Sequence, residues 1–355
     1  MNIDTTLLLK KYEPAKEAQV ITAEPQVRAA RFSPCGKVLL AGGFDGRVRR
    51  WNFAADGDPP EMPALEGHHA WIDGLAFRQD GELLFTADSW GQLCCRSGYP
   101  TDQPQEKWRV EAAHDGWIRD LAVSHDGQRL ASCGSDRCVR LWSVDEGTKL
   151  GEIAAGRDVL RLVWMPDGSL LSGDDRGIVK LWKDDGTLVR QFDASPLYAL
   201  SRLQDVGGVH ALAIDREGKL IAAGGTIPKN GATVVGPPTI LIFDATTGEQ
   251  KHKLTLGADN DCYVADMHFH EEGFLSAVTY GTPGQGQLLY VLPQEGKPFF
   301  TRKLSNLHSL SWHPDGQRLA VVATNPGSNG NGRPLDKDGN YRGNKSPIHI
   351  FRTGG

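Results

Sequence analysis

Three observations predict an all-β fold, a seven-bladed β-propeller with four antiparallel strands per blade. A strand–turn–strand motif ending its turn in glycine recurs seven times, the copies lie 41 to 55 residues apart, and a third strand in most copies ends on an aromatic ring. The motifs read FSPCG, FRQDG, VSHDG, WMPDG, IDREG, FHEEG and WHPDG, with their glycines at Gly36, Gly81, Gly127, Gly168, Gly218, Gly273 and Gly316. Propeller blades repeat at about 40 to 45 residues, whereas helical solenoids repeat near 33 or 34, so the intervals favour blades with two longer units.

Each glycine closes the hairpin between strands a and b, where a backbone with positive φ favours a residue without Cβ. An apolar strand follows, such as Arg129 to Cys133, and then a third strand, such as Val139 to Trp142. The rings that end strand c are Trp51, Trp142, Trp182, Phe243, Tyr290 and Phe351, with Arg96 as the exception in the second copy. A large ring suits the wedge between twisted sheets because it buries much apolar area while its polar edge still reaches a partner. Copy seven runs out of chain after strand c, and the apolar stretch from Ala18 to Ala23 belongs to no other blade. The expectation is an N-terminal extension over 1–17 and one propeller over 18–355, its ring closed by residues 18–23 as strand d of blade seven.

The third copy, HDGWIRDLAVSHDGQRLASCGSDRCVRLWSVDEG, resembles the WD-repeat family. The resemblance extends over nearly the whole chain and implies that His114, Ser132, Asp136 and Trp142 form that family's structural tetrad. Asp136 would orient the imidazole and the imidazole would engage the hydroxyl, so that each buried polar group is satisfied. Other copies depart from the pattern. Copy one keeps Asp45 and Trp51 but has Ala41 for the hydroxyl residue; copy two keeps His68 and Thr86 but not the Trp; copy four has Arg176 at the Asp position and Asp175 one place early. At these positions the Ser/His/Asp trio reads as structure and not as a hydrolase, which also needs an exposed nucleophile and an oxyanion hole.

Function enters a repeat protein through variation between copies. The longest departures are IPKNGATVVGPP in blade five, YGTPGQGQ in blade six, NPGSNGNGRPLDKDGNYRGNKSP from Asn325 to Pro347 in blade seven, and Ala194 to Gly208 between blades four and five. All would fall on the face bearing the b–c and d–a loops, which the family resemblance marks as the partner-binding face, with blades five to seven as its principal part. Aligning the copies puts Trp71, Trp117 and Tyr263 at one equivalent position. Two places later stand Arg28, Asp73, Arg119, Leu160, His210, Ala265 and His308. The partner-binding candidates are Arg28, Trp71, Asp73, Trp117, Arg119, His210, Tyr263 and His308 at the channel mouth, with Arg333 and Tyr341 from the blade-seven insertion. Aromatic and Arg side chains are the types enriched at interface hot spots.

No metal or cofactor is expected. Asp336, Asp338 and Asn340 alternate as in a calcium loop, but Tyr341 replaces its glycine and Pro347 its bidentate Glu. His268 and His270 share a strand without an identifiable third ligand. The six cysteines lack zinc spacing and read as buried free thiols of a reducing compartment. A net charge of −5 and a pI near 6.1 offer no basic stripe for nucleic acid. No run of about 20 apolar residues would span a membrane, and Leu7 to Leu9 is too short for a signal sequence. The expected protein is a monomeric, cytoplasmic, non-enzymatic scaffold for one or more proteins or peptides. The alternatives are a metal-dependent hydrolase or lactonase with its site at the channel mouth, or a reader of peptides or modified side chains through an aromatic cage.

Overall fold

Buried strands occupy every predicted blade. The structure, a computed structural model, describes residues 4–16, 18–54, 57–201, 203–229, 235–282, 284–324 and 344–354. These residues form seven four-stranded antiparallel sheets and one two-stranded hairpin. Strand a of each blade contacts strand a of both neighbours, including blade one against blade seven, so the sheets close into a ring. The seven hairpin glycines all adopt positive φ, from +67° at Gly218 and Gly316 to +85° at Gly273, the left-handed region that a side chain penalises.

Burial falls from the axis to the rim. In blade one, strand b (Val38–Gly43) is buried at every residue because neighbouring blades cover both its faces. Strand d (Glu61–Leu65) alternates exposed and half-buried positions before the buried Leu65. The aromatic ends of strand c fill the gaps between sheets: Trp142 lies in one core with Phe85 and Leu93 of blade two, and Trp51 in one with Val322 and Ile348 of blade seven. Polar latches join the same interfaces. Asp120 accepts from the Leu162 amide at 2.9 Å between blades three and four, and Asp266 accepts from the Leu310 amide at 3.0 Å between blades six and seven. Ser311 accepts from the Phe32 amide at 3.0 Å where the last blade meets the first.

The closing strand runs Gln19–Ala23 and pairs antiparallel with strand c of blade seven (Ser346–Arg352), Gln19 opposite Ile350 and Ala23 opposite Ser346. Before it, Thr5–Tyr12 forms a helix capped by Asp4, whose side chain accepts from the Thr6 and Leu7 amides. Leu8 and Tyr12 are buried in one core with Phe274, Tyr290 and Phe351, and Lys11 pairs with Glu272 at 2.7 Å. Of the Leu7 to Leu9 run only Leu8, with Leu9 partly buried beside it, belongs to the face seated on blades six and seven, while Leu7 is 63% exposed. One reading of the cysteines needs correction: Cys35, in the a–b turn of blade one, is exposed and Cys138 is half-buried, while the other four are buried; no disulfide joins any of the six.

Deleting residues 1–24 uncovers the strand over Ser346–Arg352 and removes Leu8 and Tyr12 from their core. The expected product aggregates or loses its cooperative thermal transition. Scanning calorimetry with size-exclusion chromatography checks this, and a monomeric product that melts cooperatively would contradict it.

Candidate functional site

The side chains that anchor the strands come first, because they determine which groups are left to face a partner. In blade three, His114 Nε2 lies 2.7 Å from Ser132 Oγ and its Nδ1 2.9 Å from Asp136 Oδ1, while Trp142 Nε1 donates to Ser132 Oγ at 2.8 Å. Arg140 also donates to Asp136. Burial by itself would raise the Asp136 carboxyl, but the hydrogen bonds from Arg140 and His114 outweigh it and hold it down at about 2. Burial lowers the His114 imidazole against the pull of Asp136. Ser132 and His114 are thus consumed by the strand-c anchor.

Blade two builds the same anchor from other residues. His68 contacts Thr86 Oγ1 at 2.7 Å, and Arg96, standing where a Trp would, donates to that hydroxyl at 3.1 Å and to the Glu66 carbonyl at 2.7 Å. The carboxylate partner of His68 is Asp88 at 3.0 Å, two places before the position where Asp136 stands in its own blade. That position holds Trp90, 70% exposed. In blade four Trp182 donates to Ser172 Oγ at 2.8 Å, and the buried acid is Asp174, which accepts from the Arg176 and Ile178 amides. The reading of Asp175 as the displaced tetrad acid is corrected accordingly, since the amides that need an acceptor face Asp174. In blade one Arg49 forms a two-pronged pair with Asp45, at 3.0 and 2.9 Å.

The second set of candidates has one backbone origin. Arg28, Asp73, Arg119, Leu160, Ala265 and His308 are the skipped residues where the register of strands a and b shifts, and His210 immediately precedes strand a (Ala211–Ile214) of blade five. A β-bulge re-aims one side chain out of the alternating pattern. All seven line one central cavity of about 570 Å³, together with deeper groups such as Arg31, Asp120, Arg161 and Asp266.

Two separate aromatic groups pack against residues of the cavity wall, one at Arg119 and one at His210 and His308. Over blades one to three Phe44 stacks on Trp71 at 4.9 Å, Trp71 meets Trp117 edge-on at 5.8 Å, and the Arg119 guanidinium lies 3.6 Å above the Trp117 ring. Over blades five to seven His210 contacts Tyr263 at 4.4 Å, Tyr263 stacks on Tyr280 at 5.4 Å, and Tyr280 reaches His308 at 5.5 Å. Tyr263 occupies the position equivalent to the two tryptophans, yet packs on the opposite arc of the ring and shares no ring contact with them. A single cage from the three rings is therefore corrected to two clusters. Phe44, Trp90 and Tyr280 escaped the sequence reading; Trp90 was accessible through the tetrad alignment, whereas Phe44 lies in a turn and Tyr280 ends strand b of blade six opposite Tyr263, a pairing that only the fold determines.

The insertion between blades four and five forms a short turn of helix (Ser195–Leu197) and a hairpin of Tyr198–Ser201 with Gln204–Gly207. Arg176 pairs with Asp205 at 2.9 Å, and Asp205 and Gly207 reach the cavity wall. Neighbouring loops are tied together: Lys229 to Asp259 at 2.8 Å, the Thr282 amide to the Asn260 carbonyl at 3.0 Å, and the Thr324 amide to the Asn306 carbonyl at 3.0 Å. Arg333, Tyr341 and the Asp336, Asp338, Asn340 series lie outside the described residues. His268 and His270 diverge, His268 toward the channel and His270 onto Tyr12 and Phe274. Among the described residues no group of three or more His, Cys, Asp or Glu side chains is arranged to hold a metal ion, and no helix is long and apolar enough to cross a membrane.

Two outcomes follow from these contacts. Trp142→Ala removes a buried ring and the donor to Ser132, at an expected cost of about 3 to 5 kcal/mol in urea unfolding; an unchanged midpoint would contradict it. Burial, then the positive charge nearby, pushes His210 and His308 down to about 3. Unfolded imidazoles take up protons near about pH 6.5, so across this window the unfolded state binds more protons and stability falls as pH falls. His210→Gln should reduce that slope by about one proton, read from unfolding free energies between about pH 6 and 4.

The family model described as "WD domain, G-beta repeat" matches residues 16–52, 106–143 and 148–183. The chain is 24% identical over 250 residues to apoptotic protease-activating factor 1 of Rattus norvegicus, a stretch covering 67% of this chain and 18% of that protein. It is 32% identical over 210 residues to WD repeat and SOCS box-containing protein 1 of Homo sapiens, covering 44% and 49%. With small ribosomal subunit protein RACK1y of Oryza sativa subsp. japonica it is 30% identical over 130 residues, covering 36% and 38%. The matched stretches thus span less than half the length of these curated relatives. With that repeat recurring inside a closed ring of seven four-stranded blades, the chain is a WD-repeat β-propeller.

Proposed function

We propose that this propeller is a non-enzymatic scaffold that binds partner proteins or peptides through the face bearing its b–c and d–a loops. The observation that carries the reading is the convergence, on one end of the ring, of the re-aimed strand-a residues, the inserted hairpin and the exposed rings. Trp71 is 46% and Trp90 70% exposed, and among the described residues no other large aromatic side chain is exposed. Exposed aromatic rings beside arginines are the composition of interface anchors. The polar trio most like a hydrolase site is spent on anchoring Trp142, and the cavity mixes arginines with carboxylates, a poor cage for a cation. The relatives named for a protease-activating factor, a SOCS-box protein and a ribosomal subunit protein point to assembly work. The docking area extends from blades one to three toward the insertions of blades five to seven.

Affinity capture from source lysate tests the reading, with intact protein compared against a Trp71→Ala, Trp90→Ala double variant of unchanged melting temperature. Both rings are exposed, so stability should be retained. The expected result is a protein retained by the intact chain and lost from the variant. Equal retention would place binding elsewhere on the ring.

A further inference from the structure

Five of the nine tryptophans engage their indole N–H inside the protein. Trp108 donates to the Val144 carbonyl at 2.8 Å and Trp164 to the Ala122 carbonyl at 2.9 Å, while Trp142, Trp182 and Trp312 donate to serine hydroxyls. Trp71 and Trp90 differ: their N–H groups have no protein acceptor among the described residues, and their rings are 46% and 70% exposed. Trp117 Nε1 also lacks an acceptor but is buried, out of a ligand's reach. The exposed rings belong to one built row. The Phe44, Ser89 and Ser135 amides donate to the Gln26, Trp71 and Trp117 carbonyls at 3.0, 2.9 and 3.0 Å, which ties the b–c turn of each of blades one to three to the residue before its strand a. Phe44, Trp71 and Trp117 thus follow one another with centroid steps of 4.9 and 5.8 Å, and Trp90 stands next to Ser89 in the turn of blade two. Acceptors along the row are largely engaged. Besides those three carbonyls, Asp73 faces Arg28 at 3.6 Å, Glu66 pairs with Arg47 at 3.3 Å, and Asp88 accepts from the Trp90 and Gln92 amides. The Trp117 ring already has the Arg119 guanidinium at 3.6 Å and that of Arg28 at 5.9 Å, so a further cation, a methylated lysine included, is disfavoured there.

Resting on the scaffold reading, we infer that this row over blades one to three receives a proline-rich segment of a partner protein in the extended polyproline II form. A surface of rings and free donors, with its acceptors engaged, matches a ligand of rings and free acceptors that carries few donors. Proline has no N–H, and a polyproline II chain leaves its carbonyls unpaired, whereas helices and sheets pair theirs. Trp71 and Trp90 supply the N–H groups for those carbonyls, and their rings cover the pyrrolidines. At about 3.1 Å per residue, three to four residues span the row from Phe44 to Trp117. Such a segment also loses little freedom on docking, because proline fixes φ before it binds.

The test uses the full protein and two immobilised peptide pools of equal length, random except that every third residue is proline in one and alanine in the other. The proline pool should retain the protein about tenfold better, and the preference should persist as salt rises, because no ion pair forms. Trp71→Phe and Trp90→Phe keep an exposed ring and remove its donor. Each should lower retention on the proline pool about fivefold at an unchanged melting temperature. Equal retention on the two pools, or none on either, overturns the proline assignment, as does unchanged retention in either variant. Tryptophan emission that shifts to the blue with phosphatidylcholine vesicles and not with the proline pool marks a lipid surface and overturns it equally. If lysate capture still depends on Trp71 and Trp90, the scaffold reading stands without the proline assignment; if capture fails as well, both fall.

Discussion

Five backbone pairings between Gln19–Ala23 and Ser346–Arg352 make the ring a ring. An open stack of seven sheets would present an unpaired strand on its last blade, and a template of free amides and carbonyls recruits other chains. The pairing also brings two distant parts of the sequence into one sheet, so the wedge residues of blade one, Phe32 and Trp51, have Ile348 and Val322 to pack against. The helix before it adds Leu8 and Tyr12 to the adjacent core. Closure is what allows seven sheets, each too small to bury both of its faces, to share one continuous interior.

Within that interior the repeat is conserved as physics more than as sequence. Three blades anchor strand c through a hydroxyl that accepts from the residue at its end, yet the donor is Trp142, Arg96 or Trp182, and the acid nearby stands at one of two positions. What the interface requires is a satisfied hydroxyl beside a large buried group; an arginine provides it if its remaining donors find carbonyls, as Arg96 does at Glu66. Bonds between blades add to these anchors. Trp312 of blade seven donates to Ser276 of blade six at 3.0 Å, and Ser309 and Ser311 bond to the first blade.

The channel follows from a backbone irregularity repeated around the ring. Because strand a skips one residue at its channel end in six blades, a side chain at that point leaves the sheet and faces the axis. The propeller can vary this one position without disturbing a core, and it does, from Arg to Asp to His to Leu. The result is an uneven wall, with arginines interspersed among aspartates over blades one to four and histidines packed on tyrosines over blades five to seven. Such a wall has an orientation, which a partner lying across the face can use for register as well as affinity.

Much of this was readable from residues in order. The turn glycines carry a conformational demand that few other residues meet, so their spacing revealed the blade count, and the leftover apolar stretch at 18–23 revealed the closure. The position two places after the aromatic also pointed to the channel residues, because a bulge recurs at the same place in each copy. The sequence alone could not tell that Trp71 and Trp117 touch each other while Tyr263 turns to His210 and Tyr280 across the ring, nor that Arg119 ends above an indole with a buried nitrogen left over. Periodicity specifies which face of its own strand a side chain occupies. Which neighbours meet it, and whether its charge is answered, depends on strands hundreds of residues away that only the closed ring brings within a few ångströms.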